Sequence, residues 1–135
     1  RKLPYIVVVI DEFAGLGFDR EQELSEQICR LVETGRALGI HMIISTNSPM
    51  QTGKSRRLLT NIATRVVFRV AASNESYRLL DTGGAEQLPP CGIAIFATTD
   101  KQELTVVRTP MVSDIEIQRL VNFWKSTPTT SAVVT

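Results

Sequence analysis

Two adjacent carboxylates, Asp11 and Glu12, directly follow the apolar run Tyr5–Ile10. This run, rich in β-branched residues, predicts a strand buried on both faces of a parallel sheet, and ligands of open α/β sheets bind at the carboxyl ends of such strands. Nucleotide hydrolysis needs an acid that holds Mg²⁺, directly or through its water, and a base that orients the attacking water. Asp11 suits the first role and Glu12 the second. The alternative is that the pair is simply the polar end of a core strand.

A second strand is predicted over His41–Ser45, and polar residues follow it as well. Asn47 in that stretch could donate a hydrogen bond from its side-chain amide to the terminal phosphate of a nucleotide. It could equally stabilise an Asx-type turn before Pro49. Local chemistry leaves both interpretations open.

The stretch Thr52–Ser55 looks like part of a phosphate-binding loop, which requires the pattern G-x-x-x-x-G-K-[ST]. The residue five positions before Gly53 is Ser48 rather than glycine, and Pro49 removes a backbone amide from the cradle. We therefore expect the true phosphate-binding loop on a strand and helix upstream of Arg1.

The composition is that of one globular domain. The 135 residues are 43% hydrophobic and 21% charged, with a net charge of +1. Basic residues cluster only locally, at 54–57 and at Arg65, Arg69 and Arg78; such clusters are usually solvated surface. The two cysteines and the lone His41 lack the spacing of a disulfide framework or a metal site, which fits a reducing cytosolic compartment. No apolar run approaches the roughly 18 residues that span a bilayer.

Predicted strands and helices alternate along the chain, which favours an α/β fold with a mainly parallel sheet and helices on both faces. The last two strands could form an antiparallel hairpin at its edge. The further strands are predicted at 65–70, 92–97 and 104–108. Helices are predicted to begin at an Asp19–Gln22 capping pair, at Ser73, and at the capping box Ser113–Glu116.

Taken in order, these motifs resemble the C-terminal half of the motor domain of the FtsK/SpoIIIE family of DNA translocases, from Walker B onward. The matching stretches cover nearly the whole chain, with a weaker match reaching Trp124 and Lys125. They are Leu3–Ala14, Gly35–His41, Asn61–Val70 and Leu80–Leu88.

The resemblance implies a RecA-like P-loop NTPase fold, of which residues 1–126 form a part without the Walker A segment. Residues 127–135 would be a loose tail rich in Ser and Thr. It also implies ATP and Mg²⁺ as cofactors, and a homo-oligomeric, hexameric ring that pumps double-stranded DNA. The motor domain would be cytoplasmic, and any contact with the membrane would come through segments outside this chain.

The same resemblance assigns roles to individual residues. Asp11 and Glu12 become the Walker B pair, with Asp11 as the Mg²⁺ ligand. Asn47 stands where the family usually has the Gln of a Thr-Gln-Arg-Pro stretch. An arginine would act in trans at the γ-phosphate bound by a neighbouring subunit. The candidates are Arg65, Arg69 and Arg78, the last being displaced by one position from the family's arginine.

Two alternatives to a DNA translocase stay open for the parent protein, and one prediction concerns this chain by itself. The parent protein could be a type VII secretion ATPase or a conjugation coupling ATPase of the same family, moving a different substrate. It could also be a scaffold module that has lost hydrolysis, since Asn47 replaces the family's Gln and residues 89–96 replace the family's Gly-rich stretch. Without a phosphate cradle, residues 1–135 alone are predicted to be inactive.

Overall fold

The computed structural model describes residues 4–16, 22–47, 53–98 and 101–127, except for the side chains of residues 53–55 and 101–103. Strands and helices alternate through these ranges. The strands are β1 (Ile6–Ile10), β2 (Ile40–Ile44), β3 (Thr64–Phe68), β4 (Ile93–Thr98) and β5 (Lys101–Arg108). The helices are α1 (Gln22–Gly35), α2 (Gly53–Asn61), α3 (Ser73–Leu80) and α4 (Asp114–Ser126). The predicted N-cap Asp19 and the predicted tail beyond Thr127 lie outside the described residues.

β1 and β2 form a parallel pair in the register Ile6↔Ile40 to Ile10↔Ile44. Parallel strands need a long crossover connection, and α1 supplies it here. One face of the pair packs on the buried residues of a first core cluster. This cluster is made of Phe13, Ile28, Cys29 and Leu58.

The other face of the β1–β2 pair is exposed. Val7, Val9 and Ile43 keep 59%, 66% and 57% of their surface accessible. The prediction that β1 is buried on both faces is therefore wrong within the described residues. The reason is that α1 and α2 both contribute to the same cluster, on one side of the pair.

β3, β4 and β5 form an antiparallel sheet. The hairpin expected for the last two strands is present, and the β3–β4 pairing is antiparallel too. An α/β fold is observed as predicted, but its antiparallel part is larger than expected. The apolar pattern of a single strand does not encode the direction of its neighbour. A second core cluster covers this sheet and consists of Val67, Leu80, Ala85, Leu88 and Ile95.

A two-pronged ion pair at the surface links α2 to α1, beside the first core cluster that the two helices share. Arg57 Nε and Nη2 donate to the two carboxylate oxygens of Glu33 at 2.8 and 3.0 Å, and Leu58 beside Arg57 is fully buried. The hydrogen bond from Arg57 holds the pKa of Glu33 below its ordinary value. One member of the basic cluster at residues 54–57 therefore serves the fold.

The ends of the helices match the predictions in part. The Ser113 hydroxyl accepts from the backbone N–H of Glu116, while the Glu116 carboxylate accepts from the backbone N–H of Ser113 at 2.8 Å, so this capping box is confirmed. The prediction that Ser73 caps α3 is wrong. Ala72 is the N-cap, and the Glu75 carboxylate instead accepts from the backbone N–H of Ala71 at 2.9 Å.

The apolar stripe of α4 lies in solvent. The sequence predicts burial of Ile117, Leu120, Val121 and Trp124, but these side chains are 46%, 60%, 37% and 64% exposed. This prediction is wrong for the described residues, because no described element covers that side of the helix. The helical spacing also predicts Leu38 on the buried face of α1, but this side chain is 70% exposed. That helix already ends at Gly35, and a short 3₁₀ turn carries Leu38.

Candidate functional site

The carboxyl ends of β1 and β2 meet at one edge of their sheet. Hydrogen bonds between the two strands continue past the last ladder pair, from Ser45 N to the Ile10 carbonyl and from Phe13 N to the Ser45 carbonyl, both at 2.9 Å. The segment after β1 is therefore held against the segment after β2. The polar residues that follow each strand lie side by side as a result.

Asp11 and Glu12 both lie beyond β1, on a tight turn. Glu12 has a φ of 51°, in the left-handed region that non-glycine residues seldom adopt. Its carbonyl accepts from Gly15 N at 2.8 Å, and the next side chain, Phe13, is 1% exposed and anchors the turn in the first core cluster. The turn thus leaves both carboxylates exposed while the core fixes its position.

The Ser45 hydroxyl donates a hydrogen bond to Asp11 Oδ1. Sequence reasoning did not single out Ser45. Ser45 is the first residue after β2, as Asp11 is the first after β1, and the register pairs Ile10 with Ile44. The strand pairing could therefore have indicated the contact, but the register is not readable from either strand alone.

Asn47 follows on the same edge, two residues after Ser45, and its side chain is exposed. The structure thus brings three predicted site residues, Asp11, Glu12 and Asn47, to the ends of one parallel strand pair. Pro49, on which the alternative Asx-type turn depends, lies outside the described residues.

The side-chain oxygens at this edge are suitable ligands for a hard cation that is bound together with a phosphate. Mg²⁺ takes oxygen ligands and is usually held by one or two carboxylates plus phosphate and water, rather than by an all-protein cage. The exposed carboxylates of Asp11 and Glu12 provide such oxygens. Within the described ranges, no group of three or more His, Cys, Asp or Glu residues is arranged to hold a metal ion, so a protein-only metal site is not supported there.

The guanidinium of Arg65 forms hydrogen bonds within its own chain. Its Nη2 donates to the Leu59 carbonyl at 2.6 Å and its Nη1 to the Leu79 carbonyl at 2.7 Å. These carbonyls belong to the last turns of α2 and α3, where helices leave acceptors unpaired and favour a cation. Nη1 also lies 3.7 Å from a carboxylate oxygen of the exposed Asp81. Arg65 therefore links the ends of two helices.

Arg69 and Arg78 are exposed. Arg69 directly follows β3, and Arg78 lies in α3, so both belong to the antiparallel part of the fold. Neither is brought to the Asp11 edge through the parallel strand pair. Gly53, Lys54 and Ser55 form the start of α2, while Ser48–Thr52 before them lie outside the described residues.

Comparison with known proteins adds the family. The model of the FtsK/SpoIIIE family matches residues 1–51. The chain is 35% identical to the DNA translocase FtsK of Haemophilus ducreyi over 125 residues, which is 93% of this chain and 13% of that protein. It is 39% identical to DNA translocase FtsK 1 of Neisseria meningitidis serogroup B, again over 93% of this chain and over 15% of the relative.

The chain belongs to the FtsK/SpoIIIE family. The family membership predicted from the order of the motifs is thereby confirmed. The chain spans about one seventh of the length of these FtsK relatives.

Two solved structures confirm the P-loop ATPase fold expected for an FtsK/SpoIIIE chain. The cytoplasmic domain of the type VII secretion ATPase EccC from Thermomonospora curvata superposes with a TM-score of 0.70 and 24% identity, over 87% of this chain and 15% of that one. The pCW3 conjugation coupling protein TcpA, in its monomer form with ATPγS, superposes with a TM-score of 0.73 and 23% identity, over 90% of this chain and 38% of that one. At these sequence identities the comparison supports the fold alone.

No helix among the described residues is long and apolar enough to cross a membrane.

Proposed function

We propose that the protein carrying this chain is an ATP-driven motor that pumps double-stranded DNA through a hexameric ring of identical subunits. The observation that carries the proposal is the position of Asp11 and Glu12, two exposed carboxylates on one anchored turn past the end of β1. The polar end of β2, with Asn47, lies at the same edge. DNA as the substrate is supported by the relatives, which are named DNA translocases.

The chemistry assigns a separate task to each residue at this edge. Asp11 would hold the Mg²⁺ of the nucleotide, directly or through a water ligand. Glu12 would accept a proton from the attacking water and orient it. Asn47 would donate its amide to the γ-phosphate and respond to its loss. Mg²⁺, when bound, neutralises the charge that develops on the phosphates.

A trans-acting arginine completes the proposed site of the neighbouring subunit. Arg65 is a poor choice, because its guanidinium already bonds two helix-end carbonyls of its own chain. Arg69 and Arg78 are exposed and so can reach across a subunit boundary. We therefore narrow the three candidates to these two.

DNA is proposed to be held through its phosphates, so binding should weaken as the salt concentration rises. The motor domain would work in the cytoplasm, and the parent protein would contact the membrane only through other segments. The same fold occurs in a secretion ATPase and in a conjugation coupling protein, so the fold leaves the substrate open. The sequence relatives favour DNA.

The test is ATP turnover by the full-length protein with and without duplex DNA. We expect DNA to stimulate turnover, and Glu12→Gln to lower it at least about 100-fold, the usual contribution of a positioned general base. Glu23→Gln is the matched control. Its side chain is also exposed and accepts from Gln27 one turn along α1, so the turnover of the Glu23→Gln protein should equal that of the unchanged protein.

DNA-stimulated turnover that survives Glu12→Gln would contradict the role of Glu12. Turnover that responds to a secreted protein substrate but not to DNA would favour the secretion ATPase. A full-length protein without turnover under any of these conditions would favour the hydrolysis-deficient scaffold.

A further inference from the structure

We infer that Ser45 is a positioning residue for Asp11, one that fixes the carboxylate in the orientation that receives Mg²⁺. The inference rests on the proposed function, because it concerns the metal ligand of that same site. It adds the first residue after β2 to a role so far given only to Asp11, the first residue after β1.

The contact is built by the two strand ends together. Ser45 N donates to the Ile10 carbonyl and the Ser45 carbonyl accepts from Phe13 N, so the backbone of Ser45 bridges both sides of Asp11. The hydroxyl then donates to Asp11 Oδ1. Any residue except proline can make the two backbone bonds at position 45, whereas the third bond requires a side-chain donor.

Asp11 needs such a partner because its turn is exposed. A solvated carboxylate on a turn is free to rotate, and a metal ion must then order it on binding. A hydrogen bond to one oxygen removes this freedom and leaves acceptor sites on the carboxylate for the cation, since an ionised carboxylate has about four lone-pair sites. Partners of this kind orient metal ligands, and their loss typically weakens metal affinity about 10- to 100-fold.

The experiment measures binding of a fluorescent ATP analogue to the full-length protein as Mg²⁺ is titrated. All variants carry Glu12→Gln, so that hydrolysis does not consume the probe. Ser45→Ala should raise the Mg²⁺ concentration at half-maximal binding about 10-fold, the low end of the range because the site is exposed. Ser45→Thr keeps the hydroxyl and should restore it. Ser73→Ala, which removes an exposed hydroxyl at the start of α3, should change nothing.

An unchanged Mg²⁺ dependence in Ser45→Ala would overturn the inference. So would an equal loss in Ser45→Ala and Ser45→Thr, because the effect would then come from packing and not from the hydroxyl. Asp11→Asn separates this inference from the proposed function. If Asp11→Asn leaves the Mg²⁺ dependence unchanged, the metal role of Asp11 itself fails. If Asp11→Asn weakens it and Ser45→Ala does not, only the role of Ser45 fails.

Discussion

Two arginines at opposite ends of β3 differ in what surrounds them. The Arg65 side chain is 17% exposed and bonds carbonyls from the last turns of α2 and α3. Arg69, four residues later, is exposed. They are the same type of residue, close in sequence, and both were candidates for contact with a neighbouring nucleotide. The difference in burial makes Arg65 part of the fold and leaves Arg69 available for a partner.

Replacing these two arginines tests that distinction. We expect Arg65→Gln to lower the free energy of unfolding by about 2–3 kcal/mol, because it leaves two partly buried carbonyls without a charged donor. Arg69→Gln makes the same change of charge on an exposed side chain and should stay within about 0.5 kcal/mol. Chemical denaturation of the full-length protein monitors both. Equal stability of the two variants would show that the Arg65 contacts do not hold the helix ends together.

Among the elements, α4 is stabilised locally rather than by packing. Its capping box is complete, with Ser113 and Glu116 bonding each other's backbone N–H groups, whereas its apolar stripe is exposed. Hydrogen bonds from the Ser113 hydroxyl and backbone N–H hold the pKa of Glu116 below its ordinary value. A lowered pKa in the helical state means that the ionised carboxylate favours the helix. The contribution is present above the ordinary pKa of Glu116 and is lost as the pH falls through its lowered value.

A peptide of residues 109–127 should therefore lose helix content, measured by far-ultraviolet circular dichroism, when the cap is removed. Ser113→Ala should reduce helicity by an amount equivalent to about 1 kcal/mol, the usual value of a serine N-cap. Ser126→Ala is the control, since its hydroxyl donates to the Phe123 carbonyl at the other end of the helix. Acidification should lower the helicity of the unchanged peptide, and the decrease should be smaller with Glu116→Gln. The same decrease in both peptides would mean that Glu116 does not support the helix.

At the scale of the molecule, the described residues form two packed units. One surrounds the core cluster on the parallel strands, and the other surrounds the core cluster on the antiparallel strands. The candidate site belongs to the first unit, and the two exposed candidates for the trans-acting arginine, Arg69 and Arg78, belong to the second. A carboxylate pair without a phosphate cradle cannot hold a nucleotide for hydrolysis, and no G-x-x-x-x-G-K-[ST] pattern occurs in the 135 residues.

We therefore expect no ATP turnover from residues 1–135 alone, under conditions in which the full-length protein hydrolyses ATP. The measurement is phosphate release at equal concentrations of the two proteins, with duplex DNA present. A Lys54→Ala variant of the shorter chain serves as the control. Turnover by residues 1–135 that disappears in Lys54→Ala would identify Gly53–Ser55 as a working phosphate loop.

Much of the site could be predicted because it depends on residues close together in the chain. An apolar run followed by Asp11 and Glu12 is enough to locate a strand end with two acids, and a second run locates Asn47 in the same way. Boundaries of the strands moved by one to three residues. β2 is predicted from His41 and begins at Ile40, and β5 is predicted from Leu104 and begins at Lys101. Ser45 was missed because its role depends on a partner 34 residues away.

Local sequence is thus sufficient for the order of strands and helices, the two acids after β1 and the capping box of α4, since each rests on contacts within a few residues. Tertiary structure alone decides that Ser45 bonds Asp11, that Arg65 is internal while Arg69 is exposed, and that β3 and β4 run antiparallel. It also decides that the stripe of α4 remains uncovered among the described residues. These outcomes depend on which distant segments pack together, and an apolar pattern specifies that a face can be buried without specifying what buries it.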